Sequence, residues 1–234
     1  MKKRNYYKEH LERLEKGENL SEQDLVIKER FAANRAKYRV AAQGLFEDLH
    51  EVGCYVSSLQ ELQEDKKGYL VAIPVLIKWL PKIDYDLLKE DVVRIMTNSW
   101  AKGAAEVLIQ EFQITTSEQH KSYRWAVGNA LSVIAQKKHF PELASIVQDR
   151  SAGSARQKVM KALAKTKHPD ASQVLIEALR IGDEVGHVLN ALRYLKARVP
   201  KALVEQYLNH EFPWVRKEAK KLLALQDKLD AAET

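Results

Sequence analysis

The chain has 234 residues, 45% of them hydrophobic and 30% charged, with a formal net charge of +6. That is enough apolar content for a packed core and enough charge for solubility. Nine glycines and six prolines are too few for the turns of an all-β chain, and one cysteine, Cys54, excludes an internal disulfide.

Met1–Tyr7 leads into charged residues, not the apolar core of a signal peptide. No apolar run approaches the roughly 18–20 residues of a membrane span. The expected setting is therefore cytoplasmic, with no membrane contact.

The N-terminal third reads as helix. Leu11 and Leu14 give a short apolar stripe that Gly17 ends. Ser21 with Asp24 has the form of a capping box. Leu25, Phe31, Tyr38, Leu45 and Leu49 then recur at near-helical spacing, with a bend or break expected near Gly44 and a stop at Gly53. Ser57 or Ser58 caps a short helix through Leu62, and Glu64–Gly68 reads as a loop. Residues 1–66 are assigned as an N-terminal helical cap.

From residue 69 the pattern becomes periodic. Tyr123–Ile134 (YRWAVGNALSVI), Ala155–Thr166 (ARQKVMKALAKT), Glu184–Leu195 (EVGHVLNALRYL) and Val215–Gln226 (VRKEAKKLLALQ) lie over one another, with Leu88–Ser99 as a weaker copy. The fifth position holds Val92, Val127, Val159, Val188 and Ala219. The eighth holds Ile95, Ala130, Ala162, Ala191 and Leu222, and the ninth Met96, Leu131, Leu163, Leu192 and Leu223. These three positions share one helix face, and the small residues among them let a neighbouring helix approach closely.

Measured from Lys89 through Arg124, Arg156 and Val185 to Arg216, the steps are 35, 32, 29 and 31 residues, the length one helix pair needs. Upstream partners begin near Ala72, Ala104, Pro141, His168 and Pro200. The prediction is an all-α chain of about five helix pairs over residues 67–226, followed by a polar tail, 227–234, expected to fray.

AIPVLIKWL followed by a helix close to V-R-x-x-A-A-x-A-L resembles a bacterial HEAT repeat of the phycobiliprotein-lyase type. YRWAVGNAL and VRKEAKKLL carry the resemblance best, and Val185 and Lys89 depart from it. The resemblance covers about residues 69–226. It implies an α-α superhelix with the second helices on the concave side, and no single activity.

Two rows follow from the register. The second position holds Lys89, Arg124, Arg156 and Arg216. These side chains either form a ladder for phosphates or bridge neighbouring repeats through Asp side chains and loop carbonyls, for which the guanidinium fork is suited. Family resemblance favours the inter-repeat role.

The seventh position holds Arg94, Asn129, Lys161, Asn190 and Lys221. All five are polar and none is acidic, so the row can donate hydrogen bonds to carboxylates or phosphates. Solvent exposure alone would also produce it. Trp125, Lys158 and His187 are assigned to the same binding ridge. Trp79 and Trp100 read as core, and Trp125 is open between core and partner contact. Trp214 is a further candidate aromatic.

No metal-ligand spacing, phosphate loop or nucleophile elbow occurs, so no catalytic residue, metal or cofactor is assigned. Cys54 reads as a small buried apolar residue.

The positive charge is concentrated. Residues 117–180 carry eleven cations and five acids, whereas residues 1–66 carry twelve and thirteen. The leading expectation is a non-catalytic protein-binding scaffold whose partner has an acidic surface. The alternative is a nucleic-acid binder, by fold-level analogy with HEAT-like alkylpurine DNA glycosylases. That reading would need an aromatic and an acid to converge, and Asp149 and Glu142 are the nearest acids in chain order.

Overall fold

A computed structural model describes residues 16, 20–64, 66–115 and 120–232, with side chains at 66–68 excepted. The Leu11–Leu14 stripe and its stop at Gly17 lie outside the described residues. Among those described, eleven α-helices occur and no strand. The chain is all-helical.

Helix α1 spans Glu22–Glu51. It opens on the capping box: the Asp24 amide donates to Ser21 Oγ at 3.2 Å, and the Ser21 amide to Asp24 Oδ2 at 3.0 Å. Gly53 ends it at φ +83°, a left-handed position that suits glycine. Ala42, Leu45 and Leu49 are buried in the core.

The expected break at Gly44 is absent. A Cβ there would lie 2.6 Å from the Trp79 ring. The glycine is a seat for the indole, whose Nε1 donates to Asp48 Oδ2 at 2.7 Å.

A 3-10 turn at Leu59–Gln63 follows, with the Ser57 amide held by Glu61. Helix α2 runs Lys66–Trp79, so the loop expected at Glu64–Gly68 is cut short. The buried stripe Tyr69, Ala72, Ile73 and Leu76 extends the helix one turn upstream into lysines, which are good helix formers. Pro74 sits inside this helix.

The periodic region holds α3 (Asp86–Ile95), α4 (Ala105–Ile114), α5 (Lys121–Ile134), α6 (Phe140–Gln148) and α7 (Gln157–Lys165). It continues with α8 (Ala171–Arg180), α9 (Val185–Leu195), the short α10 (Lys201–Glu205) and α11 (Pro213–Ala231). Helices α3, α5, α7, α9 and α11 pack one against the next, and α4, α6 and α8 form a second row. The pairs α4–α5, α6–α7, α8–α9 and α10–α11 join the rows.

The fifth and eighth positions are what make the first row. All ten residues there are no more than 2% exposed, and at the ninth only Leu223 keeps part of its surface. Each buried Val or Leu contributes roughly 1.5–3 kcal/mol. Alanine at Ala130, Ala162 and Ala191 lets adjacent helices close up.

Asp227–Ala231, expected within the fraying tail, are helical. They continue α11, and Arg198 and Lys201 pair with Asp230, Lys201 also with Asp227. Gln226 adds a buried clamp, accepting from the Val199 amide and donating to the Ala197 carbonyl, both at 3.0 Å.

Candidate binding face

The second-position residues point inward. Arg156 is 2% exposed and donates to the Val147 carbonyl at 2.7 Å, the Gly153 carbonyl at 3.1 Å and both oxygens of Asp183 at 2.6 and 2.8 Å. It joins the end of α6, the 150–156 turn and the α8–α9 connection in one fork. Arg124 donates to the Ala152 carbonyl at 3.3 Å and lies 4.4 Å over the Phe112 ring. Arg216 donates to the carbonyls of His210 and Glu211.

Lys89 takes the same place with different chemistry. Its ammonium lies 2.9 Å from Glu111, which is 1% exposed and also accepts from the Tyr123 hydroxyl at 2.6 Å. Burial first, then the bond to Glu111, raises the Tyr123 phenol far above its ordinary range. These four residues tie helices and loops together.

The seventh-position row is uneven. Arg94 is exposed but engaged by Glu90, which also accepts from Ser122 on α5. At the other end Glu218, only 8% exposed, accepts from Asn190 at 3.1 Å, Arg193 at 3.3 Å and Lys221 at 2.6 Å. Burial opposes ionisation of Glu218, but these donors outweigh it and hold the carboxyl below its ordinary range. Acids from the third and fourth positions therefore occupy both ends of the ridge. Their partners on neighbouring helices, Asn190, Arg193 and Ser122, sit 28, 25 and 32 residues away and depend on how the helices are offset in packing.

The middle of the ridge is open. Trp125 is 39% exposed, with the Lys158 ammonium 4.7 Å from its ring. Lys161 is exposed and Asn129 half-buried beside them. Neither Lys158 nor Lys161 has an acid at ion-pair distance among the described residues. His187 is half-buried, and its ring meets Trp214 at 5.1 Å and 62°. Burial lowers the imidazole pKa of His187, which favours its neutral form.

Trp214 reaches this place because Gly186 has no side chain. A Cβ on Gly186 would lie 2.0 Å from the ring. Trp125, Lys158, His187 and Trp214 thus come from four successive helices of the first row and form one aromatic and cationic stripe.

No protein-family model, curated protein or solved structure matches the chain.

The other sequence candidates fall elsewhere. Trp79 is packed over Gly44, whereas Trp100, expected in the core, is 37% exposed and edge-on to Tyr69 at 5.6 Å. Asp149 caps the 150–156 turn through the Ser151 amide at 3.0 Å, and that serine lowers its pKa. Glu142 is exposed in the first turn of α6, in the second row. Cys54 is buried.

Among the described residues no three His, Cys, Asp or Glu side chains are placed to hold a metal ion. Likewise, no described helix is long and apolar enough to cross a membrane.

Proposed function

We propose that this chain is a non-catalytic binding scaffold, a short α-α superhelix of the HEAT type that meets a protein partner with an acidic surface. The two-row packing and the inward second-position cations support the superhelical reading. The observation that carries the function is the contrast within one helix row. Lys89, Arg124, Arg156 and Arg216 are committed to carbonyls and acids inside the molecule, while Lys158, Lys161 and Trp125 stand open together. An exposed indole is the kind of anchor a binding hot spot uses, and the two lysines beside it, with no acid at ion-pair distance among the described residues, supply positive charge that suits an acidic surface.

The test uses immobilised protein and extract of cells that express it. Lys158→Glu with Lys161→Glu removes the captured protein, and Trp125→Ala weakens its retention on the order of 30-fold, the effect of a 2 kcal/mol hot spot. Arg94→Glu leaves capture within about twofold, because Glu90 already engages that arginine. Equal capture by the Lys158/Lys161 variant and the wild type would refute the reading, provided both show the same helical circular dichroism.

A further inference from the structure

A groove of about 440 Å³ opens where the C-terminal ends of α7 and α9 meet the first turn of α8. It lies at the opposite end of α7 and α9 from Lys158 and His187, and is separate from the function proposed for them.

Lys167 and Lys196 line this groove. They occupy the same place in successive repeats, each eleven residues after the second position, Arg156 and Val185. Both are exposed, and both hold a left-handed backbone, with φ of +51° and +52°. Glycine fills such a position past a helix end at no steric cost. A lysine there in two successive repeats opposes the backbone preference and points to a use for the side chain. Neither ammonium has an acid at ion-pair distance among the described residues.

The other polar side chains that line the groove are donors as well. His168 Nδ1 accepts from the Asp170 amide at 3.2 Å, so the neutral ring carries its proton on Nε2. Stacking on Phe140, at 3.8 Å between centroids and 8°, fixes that ring. The Ser172 hydroxyl, in the first turn of α8, reaches the Pro169 carbonyl only at 3.5 Å. Tyr194 adds an exposed phenol.

Among the described residues no carboxylate lines this groove. The hollow beside Arg124 includes Asp149, and the one beside Lys89 includes Asp84 and Asp86. Asp170, whose carboxylate is 3.6 Å from His168 Nδ1, is exposed, and one acid against two ammoniums leaves the groove positive.

We infer that this groove binds a phosphate monoester. Two ammoniums, an imidazole N–H and two hydroxyls face the ligand from its walls. A carboxylate brings one charge and two oxygens to these groups. A phosphate monoester brings a charge of about −1.5 to −2 at pH 7 and three strong acceptor oxygens, which matches five donor groups and two cations. A phosphorylated side chain of another protein and a small free phosphate ester share this chemistry.

The experiment titrates the isotope-labelled full chain with inorganic phosphate, glycerol phosphate and an acetylated Gly-phosphoserine-Gly peptide, and follows backbone amide shifts. Salt is held at about 0.15 M, where charges more than roughly 8 Å apart are screened. Saturable shifts are expected at the amides of Lys167, His168 and Lys196. Tighter binding of the phosphopeptide assigns the site to a phosphorylated protein, and tighter binding of glycerol phosphate to a free ester. The same peptide with glutamate in place of phosphoserine should bind at least about tenfold more weakly.

Lys167→Gly with Lys196→Gly should weaken phosphate binding on the order of 100-fold, through the loss of two charge-assisted hydrogen bonds. Its thermal midpoint should not fall, because glycine accepts the positive φ. Lysines that only offset the helix-end dipoles would give the reverse, a lower midpoint with the shifts intact. Ser172→Ala with Tyr194→Phe keeps both lysines and should weaken binding about tenfold. Lys158→Glu with Lys161→Glu should leave it within about twofold.

The inference is overturned if none of the three probes gives a saturable shift at these amides, or if the glutamate peptide binds as tightly as the phosphopeptide. Unchanged affinity in the folded double-glycine variant overturns it too. If that variant does not fold, unchanged affinity in the hydroxyl variant does so instead.

Discussion

Arg156→Ala should lower the free energy of unfolding by about 3–5 kcal/mol, the cost of removing one partner from a buried ion pair. The guanidinium and the Asp183 carboxylate have 3% and 9% of their side-chain surface exposed. Deleting the arginine leaves that carboxylate and the Val147 carbonyl without the donor at 2.6 and 2.7 Å. Asp183→Ala should cost a similar amount, and the double variant much less than the two losses added, because each single change strands the other charge. Urea denaturation of the four proteins measures this. A loss below about 1 kcal/mol for Arg156→Ala would remove the residue from its role in holding the helix rows together.

Glu111→Ala should be the next most damaging change, on the order of 3 kcal/mol. It strands the Lys89 ammonium, whose side chain is 17% exposed, and the Tyr123 hydroxyl, which donates to Glu111 at 2.6 Å. Glu111→Gln keeps an acceptor for the phenol and loses only the charge, so about half the loss is expected. Equal losses for Ala and Gln would show that the hydrogen bond to Tyr123 contributes nothing. The same urea series, read by helical circular dichroism, gives both values.

The buried face of each repeat was legible in the sequence because it depends on local spacing. Val92, Val127, Val159, Val188 and Ala219 fall at one position of a helical period, and all are fully buried. Contacts between helices were not legible. Nothing in the chain order of Glu218 shows that it meets Asn190 and Arg193, since that depends on the offset of α9 against α11. Gly44 and Gly186 raise the same difficulty. Glycine within helical spacing suggests weakness, yet here each makes room for an indole contributed from 35 and 28 residues away.

The charge of α1 was hidden by averaging. Five cations between Lys28 and Arg39 vanish in a segment whose twelve cations are balanced by thirteen acids. Their exposure, with no acid at ion-pair distance among the described residues, is a property of the folded chain.

The proposed function places the partner on the open middle of the first helix row. The most direct measurement places a photo-crosslinking amino acid at Asn129, one turn from Trp125, and in a second protein at Gln173 on the exposed face of α8. Irradiation in the expressing cells should yield a protein adduct from position 129, lost when Lys158 and Lys161 are changed to Glu, and none from position 173. An adduct from position 173 with none from position 129 would place the partner on the other row and contradict binding at the Trp125 stripe.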